Sequence, residues 1–238
     1  MNFTLGRSSK PIVLASIHIP KTGGTSFGEL LKAEYGPRLM LDYDGLASQF
    51  SPDTIAERER RKAEVMARRD EIIADFDCIH GHFIADKYQG FVPDISFVAF
   101  FRDPYQQALS NYHYLLRNPQ IDHPSVRMFH EQKMTLPMYL SWEFSGNVQT
   151  IFLGEVALDE LEVVGITEQF SRSVALFNAT FGRKLDANVF SNVNVARPGE
   201  SYPVDTGIMN LVKRFRARDI ELYQHALERF ESQCSRRL

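Results

Sequence analysis

The fold of this chain is decided by residues 12–27, IVLASIHIPKTGGTSF. A β-branched, apolar run breaks into the turn PKTGGTS, residues 20–26, and a helical pattern begins at once. Adjacent glycines let the backbone turn tightly without a Cβ clash. Several N–H groups then converge on one anion at the positive end of the helix dipole, and Lys21 adds a mobile charge. The stretch therefore predicts a strand, an anion-binding turn and a helix, with a nucleotide phosphate as the ligand.

The lysine of this turn precedes both glycines. In the phosphate loop of nucleoside triphosphatases, GxxxxGK[ST], the lysine follows the last glycine and the next residue holds magnesium. Lys21 instead lies at the strand end of the turn, from which its amine can reach past a bound phosphate toward the group being transferred. An ordinary strand-to-helix turn with a solvated lysine is the alternative, and a second segment weakens it.

That second segment is SFVAFFRDPYQQALSNYHYLLR, residues 96–117. Its first half is apolar and rich in Phe and Val, which is typical of a strand buried on both faces of a parallel sheet. Asp103 then suits a helix N-cap, and Pro104 suits the first helical position. Arg102 at the strand end and Ser110 two turns into the helix are predicted to hold one dianion from two sides.

Both segments resemble motifs of one enzyme family. Residues 18–27, HIPKTGGTSF, resemble the 5′-phosphosulfate-binding loop of sulfotransferases that use 3′-phosphoadenosine 5′-phosphosulfate (PAPS). The form is that of carbohydrate sulfotransferases related to the heparan and chondroitin uronyl 2-O- and 6-O-enzymes. Residues 100–115, FFRDPYQQALSNYHYL, resemble that family's 3′-phosphate motif, in which the arginine and the serine bind the 3′-phosphate.

The likeness extends over most of the chain. CIHGHF, residues 78–83, resembles the HGH-type stretch that carries the family's catalytic histidine. GNVQT, residues 146–150, resembles its N-x-Q-T segment, and VGITEQF, residues 164–170, resembles the strand and loop that follow.

The chain also departs from the family pattern. Gln106 and Gln107 stand where the family often has a second arginine, and Ile151 stands where an arginine often follows N-x-Q-T. These departures bear on contacts to the acceptor more than on binding of the donor.

The resemblance implies transfer of a sulfuryl group from PAPS to a hydroxyl acceptor, a glycan or another small alcohol, without a metal. The product is adenosine 3′,5′-bisphosphate (PAP). The implied fold is one α/β domain over residues 1–238, with a P-loop-like, mainly parallel sheet flanked by helices as in sulfotransferases. The residues implied to bind the donor are Lys21, Thr22, Gly23, Gly24, Thr25, Ser26, Arg102, Ser110 and Arg197. For Arg197, which lies in a polar stretch, a surface loop is an equally good interpretation.

The chemistry calls for a base and for positive charge. A hydroxyl needs a base as it attacks, and histidine fits because its pKa lies near working pH. His82 is the first candidate and His80 the second, and only one of the two is expected to face the acceptor. A structural hydrogen bond is the alternative role for either ring. Lys21 and the amides of the turn would meet the negative charge that develops on the leaving phosphate oxygen.

Composition agrees with a globular enzyme. The 238 residues are 44% hydrophobic, and 27 basic against 30 acidic residues give a net charge of −3. No overall basic field therefore draws the protein to nucleic acid or another polyanion. Cys78 and Cys234 form neither a disulfide framework nor a zinc site. No apolar run reaches the roughly 18 residues of a membrane span. Animal members of the resembled family carry a Golgi membrane anchor and stem, which this sequence lacks, so a cytoplasmic bacterial enzyme is expected.

Two other functions stay open. A nucleotide or small-molecule kinase would use the same turn for ATP, but the position of the lysine and the lack of an acidic strand end for magnesium argue against it. A sulfotransferase-like binding protein would hold the nucleotide or a glycan without turnover. The presence of Lys21, Arg102, Ser110 and His82 argues against this alternative.

The remaining pattern predicts alternating strands and helices. The expected elements are a strand at 38–41, a long helix at 53–76, a loop at 120–130, a helix at 136–144, a strand at 163–166, a helix at 170–181 and one or two helices over 205–230.

Overall fold

All five strands of the described residues join one parallel sheet. A computed structural model describes residues 13–43, 55–93, 95–188 and 201–238. The strands are β1 Leu14–Ile17, β2 Leu39–Leu41, β3 Cys78–Gly81, β4 Ser96–Phe101 and β5 Leu161–Ile166. Their order across the sheet is β2-β3-β1-β4-β5. The predicted α/β fold with a parallel sheet is confirmed.

Helices flank this sheet. The helices are α1 Gly24–Tyr35, α2 Ile55–Ala67, α3 Arg69–Asp75, α4 Pro104–Arg117, α5 Pro124–Glu131, α6 Leu136–Ser141, α7 Val148–Leu153, α8 Phe170–Phe181, α9 Thr206–Phe215 and α10 Ala217–Arg237. Phe27 of α1 packs on Phe100 of β4 with ring centroids 4.6 Å apart, and on Phe177 of α8 at 5.2 Å. This aromatic contact fixes α1, and with it the turn that precedes α1, against the sheet.

The strand order places a crevice above β1 and β4. From β1 the chain moves toward β2 and β3, whereas from β4 it moves to β5 on the other side. The two connections therefore diverge at neighbouring carboxyl ends, which is where open α/β sheets bind their ligands. The predicted anion-binding turn follows β1, and Arg102 follows β4.

Most predicted elements are confirmed. The strands near 38–41 and 163–166 and the helix at 170–181 are present, and the last stretch forms α9 and α10. The buried strand is β4, whose residues from Phe97 to Phe101 are all buried.

Two predicted helices are shorter than expected. The helix predicted over 53–76 is interrupted at Arg68, whose φ of −102° and ψ of 12° leave the helical region and separate α2 from α3. The helix predicted over 136–144 ends at Ser141, because Trp142 is extended with a φ of −73° and a ψ of 123°. Ser145 Oγ there donates to the carbonyl of Tyr139 at 2.5 Å.

The loop predicted at 120–130 is wrong in its second half. The helix α5 begins at Pro124, a residue suited to the first helical position. The His123 ring caps this helix by accepting the N–H of Ser125 at 3.2 Å. Histidine is not among the usual N-cap residues, so the sequence carried no strong start signal.

Candidate active site

The turn between β1 and α1 has its carbonyl groups tied to side chains. Every carbonyl from Ile19 to Thr22 accepts such a hydrogen bond. The bonds run to Ile19 from Thr22 Oγ1 at 2.9 Å, to Pro20 from Gln107 Nε2 at 3.0 Å, to Lys21 from Arg102 Nη1 at 3.1 Å and to Thr22 from Thr167 Oγ1 at 2.6 Å. The donors come from the turn itself, from the residue that follows β4, from α4, and from the segment after β5.

The amide side of the turn consequently faces away from these side chains. In a planar trans peptide the N–H points opposite the carbonyl. The N–H groups of residues 21–26 make no well-formed hydrogen bond to any described residue. Those of residues 24–26 belong to the first turn of α1, where no intrahelical partner exists. The turn therefore presents a set of donors at a helix N-terminus, which suits an anion.

The turn needs its two glycines for different reasons. Gly23 has a φ of 88°, in the left-handed region that favours glycine, and it forms the N-cap of α1. A Cβ on Gly24 would lie 2.0 Å from Cδ2 of His18, so only glycine lets that ring lie against the helix start. Lys21 also has a positive φ, 66°, which is uncommon for a side-chain-bearing residue and is typical of functional turns.

Two positively charged groups, the Arg102 guanidinium and the Lys21 ammonium, lie beside the turn. Arg102 is only 8% exposed, and its guanidinium reaches the carbonyl of Lys21. The Lys21 ammonium lies 4.3 Å from the centre of the Tyr114 ring on α4. Burial, followed by the charges of Arg102 and Arg117, lowers the pKa of Lys21 to about 8. An anion bound here would relieve this repulsion, so the cluster is suited to a phosphate or sulfate group.

One face of α4 continues this cluster. Ser110, Tyr114 and Arg117 are spaced four and three residues apart, so they share a face of the helix. Ser110 thus lies one turn before the residue that contacts Lys21. The sequence interpretation gave Arg117 no role, although its helical spacing from Ser110 was a signal that could have identified it.

Gln106 and Gln107, which stand where the resembled family often has an arginine, both bind backbone groups. Gln107 is buried and donates to the turn carbonyl of Pro20. Gln106 accepts the N–H of Tyr202 at 2.7 Å and donates to its carbonyl at 2.9 Å. Each glutamine therefore fixes a segment that is distant in sequence.

His82 lies just past the end of β3 and is partly exposed. Its Nδ1 is 2.6 Å from the carbonyl oxygen of His18. A carbonyl only accepts, so Nδ1 carries the proton, and Nε2 of the neutral ring is left with a lone pair. Burial lowers the pKa of His82, and the bond to His18 opposes that shift. The ring is thus neutral near pH 7 and able to accept a proton.

His80 and His18 are more deeply placed. His80 is 1% exposed, its Nδ1 lies 2.9 Å from Ser16 Oγ, and burial lowers its pKa to about 4. Its Nε2 faces α1, where a Cβ on Gly28 would lie 2.6 Å away. The His18 ring stacks on His82 at 4.2 Å and on His80 at 5.1 Å. Of these three histidines, His82 is therefore the one whose ring is partly exposed at the carboxyl end of β3.

Some predicted positions lie at the margin of the site or beyond what is described. Thr25 is exposed and Ser26 partly exposed in the first turn of α1, whereas Thr22 is buried. Arg197 lies outside the described residues.

Within the described ranges, no group of three or more His, Cys, Asp or Glu side chains could hold a metal ion. Each helix in those ranges is too short or too polar to span a bilayer.

No protein-family model matches this chain, and neither does any curated protein. Among solved structures, a sulfotransferase from Alicyclobacillus acidocaldarius is similar with 18% identity and a TM-score of 0.46, covering 91% of this chain and 96% of that one. Mouse sulfotransferase SULT7A1 complexed with PAP is similar with 13% identity and a TM-score of 0.43, covering 89% of this chain and 66% of that one.

Proposed function

We propose that this protein is a PAPS-dependent sulfotransferase that acts on a hydroxyl group, with a glycan as the favoured acceptor. The observation that carries the proposal is the turn after β1, whose carbonyls are bound by side chains while its N–H groups have no described protein acceptor, with Arg102 and Lys21 beside it. A donor with a phosphosulfate at one end and a second phosphate at the other needs an anion cradle and a nearby arginine. The chain supplies both at neighbouring strand ends.

The residues present fit such a donor. The amides of residues 21–26 suit the 5′-phosphosulfate, because they lie in the turn at the N-terminus of α1 and have no described protein acceptor. The guanidinium of Arg102 and the hydroxyl of Ser110 suit the 3′-phosphate, as the sequence resemblance implies. Arg117 on the same face of α4 adds positive charge.

The catalytic parts follow from the same geometry. PAPS supplies the sulfuryl group, which forms a bond to the acceptor oxygen as its bond to the 5′-phosphate oxygen breaks. Nε2 of His82 accepts the proton of the acceptor hydroxyl, while the His18 carbonyl holds the ring by Nδ1. The Lys21 ammonium and the turn amides stabilise the charge that appears on the leaving phosphate. His80, buried under α1, keeps a structural role in this scheme.

Two measurements test the proposal. PAP, without added metal, is expected to raise the melting temperature of the protein more than ATP with magnesium does. Transfer of ³⁵S from labelled PAPS to a panel of unsulfated saccharides and simple alcohols then separates an enzyme from a binding protein. Stabilisation by ATP with magnesium alone would favour the kinase alternative, and PAP binding without transfer to any acceptor would favour the binding protein.

The affinity for PAP should depend on the charge of Lys21. The pKa of Lys21 is about 8 in the free protein, and a bound anion raises it. Below pH 8 the ammonium is already charged, so affinity is level. Above pH 8 affinity should fall by up to about tenfold per pH unit, because binding must then take up a proton.

Calorimetric titration with PAP from pH 7 to 9.5 measures this slope. Repeating it at pH 8.5 in two buffers of different ionisation enthalpy counts the proton taken up. Lys21→Met is the control, since it should bind PAP more weakly and lose the slope. An unchanged slope in Lys21→Met would assign the pH dependence to another group.

A further inference from the structure

Arg102 is held in place by the side chain of another residue. The ladder between β4 and β5 ends at Phe101 and Ile166, so Arg102 lies beyond it. Gln149 continues the pairing, because its Oε1 accepts the Arg102 N–H at 2.9 Å and its Nε2 donates to the Arg102 carbonyl at 2.8 Å. Gln149 is fully buried. One side-chain amide thus replaces a neighbouring strand for this peptide unit.

Gln149 is itself fixed by a buried carboxylate. Asp219 of α10 accepts the N–H of Gln149 at 3.1 Å through Oδ2. Its Oδ1 accepts the N–H of Thr150 at 2.8 Å and the Thr150 hydroxyl at 2.7 Å. The N–H of Asp219 donates in turn to Asn147 Oδ1 at 3.2 Å. Asp219 is fully buried, so these bonds are shielded from water.

These contacts give each polar side chain of the N-x-Q-T segment, residues 147–150, a structural role. Asn147 and Thr150 bind Asp219, and Gln149 links that carboxylate to the backbone of Arg102. None of these three side chains reaches the turn that follows β1 in a described hydrogen bond. Among the described hydrogen bonds, the link from this segment to the residues beside the turn runs through Arg102.

We infer that Gln149 and Asp219 are positioning residues for the donor-binding Arg102. The inference rests on the proposed function. A guanidinium binds phosphate well only when its fork is correctly placed, and the peptide that carries it sets that placement. The helix α10 thereby supports the donor site through Asp219, which holds Gln149.

The chain offers a matched control for Gln149. Gln233 is also buried, and it holds the backbone of β5 in the same manner. Its Oε1 accepts the N–H of Val164 at 2.9 Å, and its Nε2 donates to the carbonyl of Leu161 at 3.3 Å. Gln149→Ala and Gln233→Ala therefore remove similar clamps from different places. Both should lower the melting temperature, whereas only Gln149→Ala should weaken PAP binding, by about tenfold.

A double-mutant cycle makes the test specific. If Gln149 acts through Arg102, Gln149→Ala should have no further effect on PAP affinity in an Arg102→Ala background. In steady state, Gln149→Ala should raise the KM for PAPS more than it lowers kcat. Asp219→Asn keeps the size of the buried group and can lose only the acceptor for the Gln149 N–H. It should weaken PAP binding less than Gln149→Ala, and it replaces Gln149→Ala in the test if that variant does not fold.

The outcomes separate the two proposals. Equal PAP affinities for wild type, Asp219→Asn and Gln149→Ala overturn the positioning role while leaving the proposed function intact. So do equal losses in Gln149→Ala and Gln233→Ala, since a general loss of stability then accounts for both. Failure of the wild-type protein to bind PAP overturns the proposed function itself.

Discussion

His82→Asn is expected to lower kcat for sulfuryl transfer by about 10²- to 10⁴-fold while leaving PAP affinity unchanged. The amide of asparagine can still donate to the His18 carbonyl, which His82 Nδ1 now reaches at 2.6 Å. It has no counterpart of Nε2, so only the proton acceptor is removed. Single-turnover transfer of ³⁵S from PAPS to the best acceptor of the panel measures the loss, and calorimetric titration with PAP measures binding.

His80→Asn is the matched control for this variant. It too keeps a polar atom for the bond to Ser16 that His80 Nδ1 makes at 2.9 Å, and it too loses Nε2. A folded His80→Asn protein should retain most of its kcat. If His80→Asn loses as much kcat as His82→Asn, or if His82→Asn turns over normally, then His82 is not the base.

The pH profile provides a second check on His82. Burial lowers the pKa of His82 below its ordinary value, so the base form fills at lower pH than for a free histidine. The value of kcat/KM should therefore rise with pH through the acid range and level off before neutrality. This acid limb should be missing from the residual activity of His82→Asn. A limb that persists in the variant belongs to another group.

The fold and the centre of the site follow closely from local sequence. The turn before α1 and the buried strand β4 have short-range signals, namely adjacent glycines, a β-branched run and an Asp-Pro helix start. Parallel strands bring their carboxyl ends to one sheet edge, so the proximity of Lys21 and Arg102 was predictable once both were assigned to strand ends. The structure places the guanidinium of Arg102 within hydrogen-bond distance of the Lys21 carbonyl.

Long-range contacts within the site were not predictable from the same patterns. Thr167 binds the turn carbonyl of Thr22 across a separation of 145 residues, and Gln107 binds Pro20 across 87. Neither contact leaves a periodicity or spacing in the sequence, because a single polar side chain looks the same on a surface as under a turn. Gln107 even counted as a departure from the family pattern. Its role became apparent only from its buried position.

The histidines show a similar limit. Residues two apart in a strand share a face, so strand alternation could not separate His80 from His82. The two rings differ in exposure because β3 ends at Gly81, between them. Both rings stack on His18, which the sequence interpretation left without a role in the site.

Arg102→Ala is expected to weaken PAP binding by about 10²- to 10⁴-fold, because two hydrogen bonds to a charged group contribute about 1.5 to 3 kcal/mol each. The side chain is 8% exposed, so water compensates little for its loss. The variant also releases the Lys21 carbonyl, which Arg102 now holds at 3.1 Å. Calorimetric titration with PAP measures the change. The effect on kcat at saturating PAPS should be much smaller.

Arg102→Lys and Arg117→Ala serve as comparisons. Lysine keeps the charge but not the planar fork, so Arg102→Lys should fall between wild type and Arg102→Ala. Arg117 is exposed at the end of α4, so water screens its charge and Arg117→Ala should have the smaller effect. Wild-type affinity in Arg102→Ala would remove this residue from the donor site.

The same variant should change the titration of Lys21. Burial is the main cause of the lowered pKa of Lys21, and the charge of Arg102 is the next. Without that charge the pKa of Lys21 should rise, so the pH above which PAP affinity declines should move upward in Arg102→Ala. A variant that binds PAP weakly but keeps its decline at about pH 8 would show that the two cations do not interact through a shared site. An upward shift combined with weak binding would link both residues to one anion.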